Sequence, residues 1–285
     1  MLQKISTSMA TITACALFAT SVCAADMNPV TQLDHSVMPK VTSLTKTPTS
    51  TLLAGNSFMY YNNGIVQWVQ GLVAAGKDKI SASMVTIAYS GLDWHPMEAY
   101  LRPNAINSYT TLNDGSNKLL FRQDKGPVFD AVVMQDNSQG PIHPELSKFT
   151  AKYAKAHAET IRKAGAQPLI MLTWAFPGKP EMTRQLADAT IKVANDNDIM
   201  VVPVGLAFAE ALKGKPDTKL IIADNRHPSV AGTYLEACVL YATLLKKSPE
   251  GLPWYGLGEL QLPKDEAQYL QKTAWETVTA FFGWK

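Results

Sequence analysis

Apolar and polar residues fall in blocks of two lengths along this chain. Short runs rich in apolar and β-branched side chains recur at residues 52–54, 84–88, 129–134, 168–173 and 200–204. Runs of this length without a polar alternation predict strands buried on both faces. Between them lie segments with the three-to-four-residue period of amphipathic helices, at 64–75, 149–164 and 182–197. In the second, Tyr153, Ala154, Ala158 and Ile161 share one face, while Lys152, Lys155, Glu159 and Arg162 stay on the wet side. Strand and helix in alternation predict βαβ units, hence a parallel sheet covered by helices on both faces. The expected domain is a flavodoxin-like three-layer α/β/α sandwich with a five-stranded, mainly parallel sheet, and its ligand site belongs at the carboxyl ends of the strands.

Three stretches depart from this rhythm. Residues 104–126, dominated by Asn, Ser, Thr, Asp and Gly, read as a solvent-exposed insertion with no element of its own. Residues 249–263 read as an irregular apolar-rich segment between a helix at 231–245 and a last helix at 265–282. Residues 25–50, rich in Thr, Ser, Pro and Lys, read as a flexible or surface-hugging lead-in to a single domain at 51–285.

Residues 1–24 differ in kind. Lys4 precedes a charge-free, mostly apolar stretch over 9–22, and Val22-Cys23-Ala24 supplies small residues for cleavage. This layout predicts a secretory signal peptide cut after Ala24 or Ala25, because the apolar run is short for a membrane span. The expectation is an exported protein, periplasmic or secreted, with no stable membrane insertion after cleavage. Cys15 and Cys23 would leave with the signal, so Cys238 would be the one cysteine of the mature chain, in a helical run where a buried small hydrophobe is expected.

Of the 285 residues 46% are hydrophobic and 18% charged, and the formal net charge of +2 is spread evenly. Nothing in that distribution points to a nucleic-acid partner. His95 and His143 each precede a proline, but their spacing to Asp93 or Asp224 matches no tight metal-ligand pattern, and no metal or other cofactor is expected.

Two short blocks carry candidate chemistry. Leu52-Leu53-Ala54-Gly55-Asn56-Ser57 is a buried strand ending in Gly-Asn-Ser, which places Ser57 at the strand's carboxyl edge with its amide at a helix start. Asn-Ser before a helix is also how an N-cap is written. Far along the chain, Asp224-Asn225-Arg226-His227-Pro228-Ser229 sets a carboxylate three residues before a histidine, a spacing that lets it orient the imidazole. A capped turn with a surface histidine would read the same way.

Taken together, Gly55-Asn56-Ser57 and Asp224-x-x-His227 resemble the first and last blocks of the SGNH hydrolases, also called GDSL esterases and lipases. The resemblance spans 51–245 and implies a Ser57, His227 and Asp224 triad that cleaves a carboxylic ester. It implies an oxyanion hole completed by Gly91 of Tyr89-Ser90-Gly91 and by Asn137 of Gln135-Asp136-Asn137-Ser138-Gln139. Gln135 and Ser138 stand where that family has Gly and Asp, so Gln135 and Gln139 are candidate donors or substrate contacts. Trp174, with Phe176 in Thr173-Trp174-Ala175-Phe176-Pro177, is a candidate wall of the substrate pocket or a core plug. The implied substrate is a small-molecule or carbohydrate ester, acyl or acetyl. The alternatives are an exported glycan-binding protein of the same fold with little turnover, and an acyltransferase.

Overall fold

The computed structural model describes residues 32–111 and 114–285. The predicted signal peptide, Cys15 and Cys23 lie outside the described residues.

Five parallel strands form the central sheet: β1 (Ser50–Gly55), β2 (Ser81–Thr86), β5 (Ala131–Gln135), β6 (Gln167–Met171) and β7 (Met200–Val202), in the order β2-β1-β5-β6-β7. Counted along the sheet this is the 2-1-3-4-5 order of flavodoxin-like folds, with its switch point between β1 and β5. The register pairs Thr51 with Ala82 on one side and with Ala131 on the other. Four of the five strands are almost wholly buried, which is why they read as unbroken apolar runs; β2, at the edge, keeps exposed serines.

Helices cover both faces. The single turn α1 (Ser57–Tyr60) leads to α2 (Ile65–Ala75), and α3 (Met97–Tyr100) follows β2. Then come α4 (Ser147–Lys163), α5 (Glu181–Asp196), α6 (Val204–Gly214), α7 (Val230–Leu245) and α8 (Lys264–Phe282). Helix α7 is buried from Ala231 to Leu245, packed among α2, α6 and α8. Helix α6 is not separable from the strand before it in the sequence, because Val202 runs into Val204-Gly205-Leu206-Ala207-Phe208 without a polar break. It lies close enough to the chain after β6 that a Cβ on Gly205 would strike the Thr173 carbonyl.

Residues 104–126 are not the elementless insertion expected. They hold an antiparallel hairpin, β3 (Ile106–Thr111) with β4 (Asn117–Phe121), separate from the main sheet. Its base is closed reciprocally, Asn104 N donating to Asp124 and Asp124 N to the Asn104 side chain. Thr, Tyr and Ile supply strand-forming residues within a polar composition that masked the pairing. The segment at 249–263 contains a second small ribbon, β8 (Gly256–Leu257) with β9 (Leu260–Gln261). Trp254 before it packs edge-on to Trp68 and against Tyr234.

Within the lead-in, residues 32–49 are fastened to the domain rather than flexible. Asp188 on α5 accepts from Ser36 N at 2.7 Å and Val37 N at 2.9 Å. Asn195 accepts from Lys40 N, Gln167 from Thr45 N, and Asp130 from Thr49 N. Side-chain acceptors thus satisfy a backbone that has no ladder of its own.

Candidate active site

The carboxyl ends of β1, β2 and β5 meet at the sheet's switch point, and the loops leaving them carry most of the candidate chemistry. Ser57 is the first residue of α1. The Asn56 side chain caps that turn by accepting from Phe58 N at 3.1 Å, which leaves the Ser57 amide without a partner among the described residues. The N-cap reading of Asn-Ser therefore holds for Asn56, and it is what leaves the serine's own N–H open.

Ser57 Oγ lies 2.8 Å from His227 Nε2, and His227 Nδ1 lies 2.6 Å from Asp224 Oδ2. Asp224 Oδ1 accepts from the amides of Arg226 at 2.9 Å and His227 at 3.0 Å, so the three-residue spacing folds the loop back on its own carboxylate. Burial pushes the Asp224 carboxyl up, but the imidazole and the two amides outweigh it and hold it below the usual carboxylate range. An ionised Asp224 fixes the proton on Nδ1 and leaves Nε2 as an acceptor facing the hydroxyl. Chemically this relay can take a proton from Ser57 and return it to a leaving group.

The ring of His227 is stacked on Tyr61, with centroids 4.1 Å apart and planes 9° from parallel, and meets Phe58 edge-on. Neither aromatic is marked by a sequence motif; both follow Ser57 closely, so the helical turn that carries Ser57 also holds the His227 ring. Asn62, in the left-handed region at φ 55°, directs its amide to the Pro228 and Ser229 carbonyls and to Thr233 Oγ1, joining the chain after α1 to the loop that carries His227.

Trp174 is not a pocket wall. Only 1% exposed, it is stacked between Phe58 at 4.4 Å and Phe208 at 4.3 Å, and its Nε1 donates to the Arg226 carbonyl. It braces the turn behind Ser57 against the loop before His227. Phe176 lies under the Arg226 guanidinium.

Gln135 is fully buried. It points under the end of β1, where its Oε1 accepts from Asn56 N at 2.9 Å and its Nε2 donates to the Asp136 carbonyl. Glycine at position 55 makes this possible, since a Cβ there would fall 2.5 Å from Gln135 Oε1. Gln135 is therefore excluded both as a substrate contact and as an oxyanion donor. Gln139 is half-buried, and its carboxamide has no hydrogen-bond partner among the described residues.

Gly91 and Asn137 come together. A Cβ on Gly91 would lie 4.0 Å from Asn137 Cβ and 3.0 Å from Asp136 Oδ1. Asn137 Oδ1 accepts from Gln139 N at 3.2 Å, and neither Asn137 Nδ2 nor Gly91 N has a partner among the described residues. What aligns them has no signature in the sequence. Asp136, buried, accepts from Leu92 N at 3.0 Å, Asn137 N at 2.8 Å and the Thr150 hydroxyl. Burial raises its carboxyl above the usual range against those hydrogen bonds. Ser90 beneath the loop is paired with His95 Nε2 at 3.0 Å, and His157 Nε2 donates to the Leu92 carbonyl at 2.7 Å. His143 Nδ1 accepts from Glu145 N and Leu146 N ahead of α4, so His95 and His143 are both committed within the protein.

No family model matches the chain, and no curated protein matches it. Solved structures do. A DUF4886 family protein from Bacteroides uniformis is 18% identical over 83% of this chain and 96% of its own, with a TM-score of 0.55, and shares the fold. A putative SGNH hydrolase from Slackia heliotrinireducens is 22% identical over 68% of this chain and 98% of its own, at a TM-score of 0.48. An acetyl xylan esterase is 15% identical over 68% of this chain and 98% of its own, at 0.49. Structures described as lipolytic proteins of the G-D-S-L family are among the other matches.

The histidines under the Gly91 loop make a stability prediction. Burial, with a further contribution from His157, pushes His95 down to about 4, and burial lowers His157 as well. In the unfolded chain both imidazoles take up protons below pH ~6.5, whereas in the fold they stay neutral to lower pH. The unfolded state then binds more protons, so stability falls as pH drops from about 6.5 toward 4, by on the order of 2 kcal/mol for His95. Urea unfolding at pH 7 and pH 4.5 should show this loss, and His95→Gln should make it smaller. An equal loss in both proteins would remove His95 as its source.

Proposed function

We propose that the chain is a serine ester hydrolase in which Ser57 is the nucleophile, His227 the general base and acid, and Asp224 the group that orients and steadies the imidazolium. The observation that carries this reading is the continuous relay from Ser57 Oγ through His227 to Asp224, at 2.8 and 2.6 Å. It is joined by three donors without a partner among the described residues, Ser57 N, Gly91 N and Asn137 Nδ2, on adjoining loops at one sheet edge.

Ser57 Oγ attacks the ester carbonyl carbon as its proton passes to His227 Nε2. The carbonyl oxygen gains the negative charge, and the three donors are its proposed holders. Collapse breaks the bond to the alcohol oxygen, which takes the proton from His227 and leaves. Water then attacks the acyl-Ser57 carbonyl carbon, giving a proton to His227 Nε2; the bond from that carbon to Ser57 Oγ breaks, Oγ takes the proton back from His227, and the carboxylic acid departs.

On the substrate, the reading is an acyl or acetyl ester borne on a carbohydrate. Three large aromatics close in sequence to Ser57 or Gly91 are left in solvent: Tyr60 at 63%, Tyr89 at 78% and Trp94 at 56% exposure. Tyr60 stands three residues after Ser57 on the same turn, and Tyr89 and Trp94 flank Gly91. Tyr89 is moreover held at φ 62°, a region costly for a side chain of its size. Exposed rings beside a polar site suit the apolar faces of sugars, which have both hydroxyls to wet and C–H groups to cover. Residues 1–24, read as a signal peptide, would deliver the enzyme to substrates outside the cytoplasm.

Wild-type protein is expected to hydrolyse p-nitrophenyl acetate and to be labelled by a fluorophosphonate. Ser57→Ala should lose labelling and about 10⁴-fold or more of the rate. Asn137→Ala should lower kcat by about 10²- to 10³-fold. A folded wild type that neither turns over nor labels would end the hydrolase reading.

For the carbohydrate part, Tyr89→Ala and Trp94→Ala should raise KM for an acetylated oligosaccharide several-fold, to roughly the extent that a lost aromatic contact of about 1 kcal/mol implies, and leave p-nitrophenyl acetate unaffected. Equal effects on both substrates would count against a sugar platform.

A further inference from the structure

Beneath the proposed oxyanion donors, two carboxamides close a ring with the backbone. Asn56 N donates to Gln135 Oε1 at 2.9 Å, Gln135 Nε2 donates to the Asp136 carbonyl, and Asn56 Nδ2 donates to that same carbonyl at 3.0 Å. Asn56 Nδ2 also donates to the Ser90 carbonyl at 2.9 Å, and Asn56 Oδ1 caps Phe58 N. One buried side chain therefore touches all three loops that carry the donors: its own before Ser57, the one before Gly91 and the one before Asn137.

We propose that Asn56 and Gln135 act together as positioning residues that set the spacing of the three oxyanion donors. The proposal rests on the hydrolase reading and deepens it. A carboxamide matches the surroundings of position 56 because they present one N–H to be capped and two carbonyls to be satisfied, and a carboxamide supplies one acceptor oxygen and two N–H donors in a single planar group. A carboxylate of the same shape would keep the cap but aim unpaired negative oxygen at the Ser90 and Asp136 carbonyls in a buried site. At position 135 the same holds: Glu keeps an acceptor for Asn56 N and loses the donor to the Asp136 carbonyl. Gly55 is the third member, since any side chain there would displace Gln135. Glutamine in place of the glycine that leads this block in the resembled family is then a change of scaffold beneath the three donors that leaves the donors themselves in place.

Asn56→Asp and Gln135→Glu alter one atom each and supply a signature that a loss of packing would lack. Each new carboxyl, desolvated and facing carbonyl oxygen, is disfavoured as an anion and donates a proton to a carbonyl when neutral. The titratable groups around the ring are Asp136 and Asp93 on the loops after β5 and β2, His95 beneath Ser90, and His227 and Asp224 across the Ser57 hydroxyl. All are common to wild type and variants, so the ratio of variant to wild-type kcat isolates the new group.

At pH 8 each variant should lose on the order of 10²-fold in kcat with KM within about threefold of wild type, as expected when transition-state contacts alone are disturbed. The kcat ratio should recover by about tenfold or more as the pH is lowered to 5.5. Circular dichroism at pH 8 checks the fold, and if Asn56→Asp does not fold there, Gln135→Glu carries the test. Wild-type kcat in the folded variants, or a loss that is the same at every pH, overturns the positioning role while leaving the hydrolase reading intact. A wild type with neither turnover nor Ser57 labelling overturns both.

Discussion

The structure of the candidate site depends on satisfying buried backbone at the carboxyl edge of the sheet. Three parallel strands end there side by side, and their loops must leave the sheet, turn and still bring polar atoms within reach of one another. Asn56 meets most of that requirement, tying the loops after β1, β2 and β5 with one carboxamide. Gln135 and Asp136 extend the same network, the first from below and the second across to Leu92 and Thr150. These groups bind one another, Ser57 N, Gly91 N and Asn137 Nδ2 have no partner among the described residues, and donors so placed are what an anionic oxygen requires.

A second support is aromatic. Phe58, Trp174 and Phe208 form a stack running from behind Ser57 toward α6, and Tyr61 covers the His227 ring. Trp174 is held at both ends, to Phe58 by stacking and to the Arg226 carbonyl by its N–H, so it braces the turn that carries Ser57 against the loop that carries His227. Ser57 and His227 are separated by 170 positions in the chain, and their 2.8 Å approach rests on this brace and on Asn62.

The strands and most helices were legible because burial on both faces writes an unbroken apolar run and burial on one face writes a 3.6-residue period. The pairing of Ser57 with Asp224 and His227 was legible for a different reason: Gly55-Asn56-Ser57 at the end of β1 and Asp224-x-x-His227 in the loop between α6 and α7 together resemble two blocks of one family, while either block alone also reads as a capped turn. What a block does not reveal is which way each side chain turns. Gln135 and Trp174 both stand at the carboxyl edge, yet one is drawn under β1 by the space Gly55 leaves and the other into the gap between two phenylalanines. Asp136 escaped notice because its function lies in backbone amides that come near only in the fold. The β3–β4 hairpin was hidden by its polar composition, and α6 by a junction with no polar residue to mark it.

The central claim is that Ser57 attacks carbon while these particular donors take the charge. The most direct measurement is a crystal structure of the protein after reaction with a small alkyl fluorophosphonate, whose tetrahedral phosphorus stands in for the attacked carbonyl carbon. The account predicts a covalent bond from Ser57 Oγ to phosphorus, with the phosphonyl oxygen within hydrogen-bond distance of Ser57 N, Gly91 N and Asn137 Nδ2. An adduct on another residue, or a phosphonyl oxygen turned away from Gly91 and Asn137, would contradict it.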